Sequence, residues 1–273
     1  MVMEIDKQTF ESFVPAFQTA GDEIFNRMQS FIKSAQNDLA DLLGNEFQKY
    51  LVNGDMIDLA IEAVCTAAAK MAIPQLDLVL DETGFGVVST NNIAPASRER
   101  VLALEERLRI QRSMALDNLI NLLSRFSPWN KTEACFRIVS SLIWCPTDAR
   151  RLGITLEGRQ VYHEEFDQLR TAINRAEIML TTVISIELYT RLVQDLYSPV
   201  SDLPENYRYF RSICKKYMAH VVMNDNALLF EKQLKDYLAK WGDEFPEYVE
   251  SDLYKANHVE TFKNEKDSKC VFW

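Results

Sequence analysis

The chain has 273 residues, 47% hydrophobic and 26% charged, which is enough for one large core or two ordinary ones and excludes wholesale disorder. Its formal net charge of -10 argues against gripping a phosphate backbone, where affinity comes from Lys and Arg neutralising phosphates, and favours simple solubility. Only 8 Gly and 8 Pro punctuate the chain, so long helices are expected over many short strands.

Residues 3–15 open with a short extended piece and a helical turn. From Asp22 the apolar residues Ile24, Met28, Phe31, Ile32, Ala35, Leu39, Leu42 and Leu43 recur at steps of three and four, the face of an amphipathic helix. Gly44 is its natural stop. A second helix is expected over 55–72, thinned by Ala67, Ala68 and Ala69 so that a neighbour can approach closely; Pro74 ends or kinks it. Two β-prone runs within 76–92 then flank a turn-rich centre, the pattern of a hairpin or extended arm. A long helix follows from about Ser97 to Arg125, with Val101, Leu104, Leu108, Met114, Leu119 and Leu123 inward.

The break at 127–130 marks the expected boundary between an N-terminal unit, 1–127, and a second unit, 128–256. In the second unit a short strand is expected at Leu142–Trp144. Helices are expected over 162–196, 206–223 and 226–248. The tail, 257–273, is polar and then turns apolar at Cys270, Val271, Phe272 and Trp273, a run costly to leave in water.

One helical segment occurs twice. Phe31–Val52 and Ala172–Val193 align without gaps at an offset of 141, pairing Ile32 with Ile173, Ala35 with Ala176, Leu39 with Leu180, Glu46 with Glu187, Leu51 with Leu192 and Val52 with Val193. That spacing is too long for a solenoid repeat and predicts two related bundles of domain size. The expected fold is therefore all-α: two related helical bundles from an internal duplication, a small β-hairpin or extended arm, and a strand-like C-terminal tail.

Motifs for catalysis are missing. His163, His220 and His258 are the only histidines, and Gln160, Tyr217 and Lys255 stand three residues before them, so no Glu-x-x-His pair exists for a di-metal bundle. His163-Glu164 begins an HExxH pattern, but Asp167 stands where the second His belongs. Gly84-Phe85-Gly86 lacks the third Gly of a dinucleotide fingerprint, and no P-loop follows. The nucleophile elbow Gly-x-Ser-x-Gly is absent. The 5 cysteines form no CxxC and fit a reducing compartment. The chain start has no basic and apolar leader pattern, and no apolar run is long enough to span a bilayer. Tyr207, Tyr209, Phe210 and Tyr217 interleave with Arg208, Arg211, Lys215 and Lys216, a pattern for core packing plus a partner surface rather than nucleic-acid stacking. No cofactor, metal or catalytic residue is expected.

The segment TGFGVVSTNNIAPASRERV, carrying Gly84 to Val101, resembles the signature of an uncharacterised family encoded in phage and prophage structural-gene clusters. The second half is similar as well, through Trp144-Cys145-Pro146-Thr147, the Gly158-Arg159 loop and the Ala172–Val193 helix; it departs where Glu157-Gly158-Arg159 replaces an expected Gly-Ser-Arg. The helices over 31–51 and 57–73 more loosely resemble the core of phage head–tail connector (adaptor) proteins, which form rings beneath the portal and reach neighbours with extended arms. This resemblance implies a non-enzymatic virion structural protein of the neck, made in the host cytoplasm. Its partners would be other copies of itself in a ring and portal or other neck and tail proteins, with DNA only as passing cargo. The inter-subunit contacts expected on this reading are Leu78, Leu80, Phe85, Val87, Val88, Asn91 and Asn92 of the arm and Val271, Phe272 and Trp273 of the tail. The rival is a non-catalytic regulatory or protein-binding helical module of phage or prophage origin.

Overall fold

A computed structural model describes residues 3–18, 21–76, 78–81, 84–87, 97–126, 128–198 and 202–258. The fold is all-α, and the only strands among these residues form two small two-stranded ribbons.

Helix α1 (Lys7–Phe13) starts at Asp6, whose Oδ1 accepts from the Thr9 N–H at 2.7 Å. Helix α2 (Asp22–Leu43) carries Asp22 and Glu23 in its first turn, where the helix dipole favours them. It buries Met28, Ile32, Ala35, Leu39 and Leu43. It stops at Gly44, whose φ of 93° suits a residue without Cβ. Helix α3 (Gly54–Leu76) is capped by the Asn53 side chain, which accepts from the Met56 N–H at 2.9 Å. Its small residues Ala60, Ala63, Ala67, Ala68, Ala69 and Ala72 are all buried, as a helix gripped from two sides requires. Those sides are α2 and α4 (Arg98–Ser124). Pro74 lies inside α3 instead of ending it. On α4, Met114 is 52% exposed, against its expected inward place; the helix turns Ala115, Leu116 and Asp117 inward at that level.

Between α3 and α4 the expected hairpin is present. Strands β1 (Leu78–Asp81) and β2 (Gly84–Val87) pair antiparallel, with Leu78 opposite Val87 and Leu80 opposite Phe85.

Past α4, the Trp129 indole is fully buried and donates to the Leu43 carbonyl at 3.1 Å, one of the acceptors left open at the end of α2. Helix α5 (Glu133–Ile138), capped by Thr132, lies against the same end, and the Arg137 guanidinium donates to the Asp41 and Leu42 carbonyls at 2.9 Å each. No strand forms at Leu142–Trp144. This segment makes bends, with Leu142 and Ile143 buried by packing rather than by a ladder.

Helix α6 (Pro146–Arg151) leads to the ribbon β3 (Thr155–Leu156) and β4 (Arg159–Gln160) and then to α7 (His163–Phe166). The single helix expected over 162–196 is interrupted. Helix α8 (Arg170–Ile184) ends at Ser185, with φ 76° and ψ 156°, and α9 (Ile186–Gln194) restarts there. Helix α10 (Glu205–Val222) packs between α8 and α11 (Leu228–Trp241). The helix expected to reach Tyr248 stops at Trp241. A 3-10 turn at Gly242–Glu244 intervenes, Phe245 is buried, and Pro246, pre-set for a first helical turn, opens α12 (Pro246–Val249) before α13 (Asp252–Asn257).

The duplicated segments occupy equivalent places. Ile32 and Ile173, Ala35 and Ala176, Leu39 and Leu180, Leu43 and Ile184, and Phe47 and Leu188 are buried pairwise. In each half, a central helix (α3 or α10) packs against the copy (α2 or α8) and against a third helix (α4 or α11). One hydrophobic core runs from Ile5 to Val139 and a second from Leu142 to Tyr248, so the changeover falls beyond the chain break at 127.

Candidate functional site

The expected contact residues divide into two groups. Leu78, Leu80, Phe85 and Val87 sit at alternate positions of the β1–β2 ribbon, as two cross-strand pairs. Val88, Asn91, Asn92, Val271, Phe272 and Trp273 lie outside the described residues.

The helical body adds surface that sequence reasoning did not single out. Ile178 is 68% exposed on α8 and Ile186 is 63% exposed at the start of α9. At the offset of the repeat these positions are Asn37 and Asn45 in the first copy. Buried positions of the two copies agree in character, while these outward positions change from amide to aliphatic. Leu228 and Leu229, at the start of α11, are also exposed. The comparison of Ile178 with Asn37 and of Ile186 with Asn45 was available in the alignment itself.

The basic and aromatic residues of α10 separate by face. Tyr207, Phe210 and Tyr217 are buried, with Phe210 and Tyr207 against Phe245 at ring distances of 5.0 and 4.8 Å. Tyr209, Arg208 and Lys216 face solvent. Arg211 and Lys215 face a polar cavity of about 260 Å3 between the two halves.

That cavity is walled by α4, α6, α10 and the 3-10 turn Asp195–Tyr197. Asp117 is 4% exposed at its edge. Its Oδ2 accepts from the Thr147 N–H at 2.9 Å and from the Thr147 hydroxyl, with Arg150 at 3.8 Å. Its Oδ1 faces His163 Nε2 at 3.4 Å without hydrogen-bond geometry. Asp148 pairs with Lys215 Nζ at 2.7 Å. Asp195 Oδ1 accepts from Arg191 Nε at 3.0 Å, while its buried Oδ2 has no partner among the described residues. Burial pushes the Asp195 carboxyl above its ordinary value against the pull of Arg191 and Arg211. Burial pushes the Arg211 guanidinium down, against the Asp195 and Asp148 charges.

Elsewhere along the seam, Lys70 Nζ meets Glu164 at 2.6 Å, Arg109 meets Glu165, and the Arg109 guanidinium lies 4.5 Å from the centre of the Tyr162 ring. Tyr197 donates to the Val139 carbonyl at 2.7 Å.

Cys65, Cys135, Cys145 and Cys214 are buried free thiols, and burial pushes Cys65 and Cys135 up to about 12, where the reactive thiolate is scarce. Among the described residues no group of three or more His, Cys, Asp or Glu side chains is placed to hold a metal ion, and no helix is long and apolar enough to cross a membrane.

Fold and surface together define a duplicated helical scaffold with an extended ribbon. Residues 17–137, a little under half of the chain, match a family described as a family of unknown function (DUF6712). This match takes in α2 to α4 and the ribbon, and stops before the second copy. Comparison with curated proteins and with solved structures finds no match.

Proposed function

We propose that the protein is a phage virion structural component, a head–tail adaptor of the neck, that works by assembling with copies of itself and with portal or neighbouring neck proteins. The phage assignment rests on the resemblance of the Gly84–Val101 segment and of the helical body. The assembly reading is carried by one observation: the repeat keeps its core and turns Asn37 and Asn45 of the first copy into the exposed Ile178 and Ile186 of the second. Exposed aliphatic side chains gain free energy when covered, about 25 cal/mol for each Å2 removed from water. In a ring, one face of each subunit meets a different face of the next, so asymmetry between the two copies is an advantage. The β1–β2 ribbon, which has no counterpart between the central and third helices of the second copy, pairs with no third strand among the described residues, and such edges suit a neighbour.

Native mass spectrometry with and without a portal protein tests this. The wild type is expected to form a closed homo-oligomer that binds portal. The I178N/I186N variant, which copies the first repeat, should shift to monomers with unchanged helical circular dichroism. A wild type that is strictly monomeric and ignores portal removes the proposal.

A further inference from the structure

The seam between the two halves changes in character from one end to the other. The chain crosses it once, between Val139, the last side chain of the first core, and Leu142, the first of the second. Beside that crossing the contact is apolar. Trp144, Leu196 and Tyr197 pack on the first core, and the Tyr197 hydroxyl donates to the Val139 carbonyl at 2.7 Å. Among the described residues no other apolar side chain of the second half reaches that core. Midway, Asp117 of α4 accepts from the Thr147 N–H at 2.9 Å, beside the polar cavity. Water in such a cavity can take over hydrogen bonds that the halves exchange.

The opposite end is ionic. Arg109 lies about 12 Å from Asp117 toward the start of α4 and meets Glu165 of α7. Lys70 Nζ of α3 meets Glu164 of α7 at 2.6 Å, and Arg112 Nη1 stands 3.8 Å from the same carboxylate. All of these side chains are partly exposed. Ion pairs in contact with water are weak and are screened by salt, whereas apolar contact is not. A joint with its covalent link and apolar contact at one end, and solvated ion pairs at the other, opens from the ionic end. Units with separate cores and a mainly polar interface move relative to each other by default.

We propose that the seam is a hinge: the halves turn about the Val139–Leu142 crossing, and Glu164 and Glu165 of α7 form the latch that holds them closed. Opening changes the angle between the outer surfaces of the two copies. The hinge concerns contacts within one chain and stands independently of the adaptor reading.

The test is double electron–electron resonance on the full chain. Spin labels go to two exposed positions toward the ionic end, Leu102→Cys on α4 and Thr171→Cys on α8, in a C270S background; the other thiols are buried. Expected is a longer label-to-label distance whose population grows in about 1 M sodium chloride, where the screening length falls to about 3 Å. E164Q/E165Q removes the ion pairs and keeps an acceptor for the Tyr162 N–H at the start of α7, so the ratio of open to closed molecules should rise about tenfold at low salt. E164K sets like charges together and should open the seam as well. Adding K70E should close it again, which general loosening of the fold would not do. A control pair within the first half, Asp58→Cys with Leu102→Cys, should keep its distance throughout. Seam distances that stay fixed in salt and in E164Q/E165Q, or a control pair that lengthens with them, would overturn the hinge. A seam that K70E leaves open would overturn the latch.

Discussion

Ser185 holds a backbone conformation that few side chains tolerate. Its φ of 76° and ψ of 156° lie near the region populated almost only by glycine, and holding another residue there costs about 1–3 kcal/mol. The equivalent position of the first copy is Gly44, at φ 93° and ψ 143°. The second copy thus keeps the turn but not the residue that makes it easy. Some compensation is visible: the Ser185 hydroxyl accepts from the Leu188 N–H at 3.3 Å and caps α9. Replacing Ser185 by glycine removes the strain. Against that stand a few tenths of a kcal/mol for the weaker cap and about 0.4–1 kcal/mol of added freedom in the unfolded chain. The balance is a gain of about 1 kcal/mol, or roughly 2–4 °C in melting temperature for a chain of this size.

Ser185→Ala sharpens the test. It loses the same hydroxyl and keeps the Cβ, so it is expected to cost about 1 kcal/mol as a lost cap. The two variants should move in opposite directions from wild type in scanning calorimetry and in urea titration. In the first copy, Gly44→Ala should cost about 1–3 kcal/mol from the backbone alone, since a Cβ there would meet only Ala134 Cβ at an ordinary 3.7 Å. If Ser185→Gly is no more stable than Ser185→Ala, the hydroxyl and not the backbone governs this turn, and the strain argument fails.

Two further outcomes concern the seam. Asp117→Asn keeps an acceptor for Thr147 but leaves Arg150 without a buried counter-charge, so it should cost about 2–3 kcal/mol in urea unfolding. Lys70→Ala breaks a pair whose side chains are 31% and 37% exposed, and should cost under about 1 kcal/mol. Equal costs for the two would contradict the division of the seam into a buried anchor and a solvated rim. Asp195 sets a pH signature. Its folded pKa is raised above 3.8, so the folded state holds that proton longer than the unfolded state does. Its stability contribution is fully present below the ordinary value and is lost as pH rises through the folded one. The stability of wild type relative to D195N should accordingly be greatest at the acid end and fall as pH rises; a difference that is flat or grows with pH would refute it.

What the sequence carried was periodic and local. The stripe of α2, the alanine face of α3 and the ribbon between α3 and α4 were legible because each follows a helical or strand period. The break at Ser185 carried no signal in its own neighbourhood, since serine is an ordinary helical residue. The signal lay across the alignment, in the glycine standing opposite it. Leu142–Trp144 was misread because a short apolar run looks alike whether a ladder or packed bends bury it. The stop at Trp241 was hidden because Gly242 and Pro246 are consistent with a kinked helix as well as with two. The cavity was illegible: its lining comes from α4, α6, α10 and the turn at Asp195–Tyr197, which only the docking of the two halves brings together.

The two copies together suggest how such a scaffold divides its work. Buried positions are constrained by packing: each copy must fill the space beside its central helix, so Leu39 and Leu180, or Ala35 and Ala176, remain alike. Outward positions are free of that constraint, and there the copies diverge, Asn37 against Ile178 and Asn45 against Ile186. The connections diverge most. The first copy places the β1–β2 ribbon between its central and third helices, where the second has only the short link from α10 to α11. At these equivalent positions the two copies present different residues to solvent, and the β1–β2 ribbon stands on the first alone. On the proposed head-to-tail reading two such different surfaces meet across each contact, whereas an isologous two-fold dimer would pair one of them with its own copy.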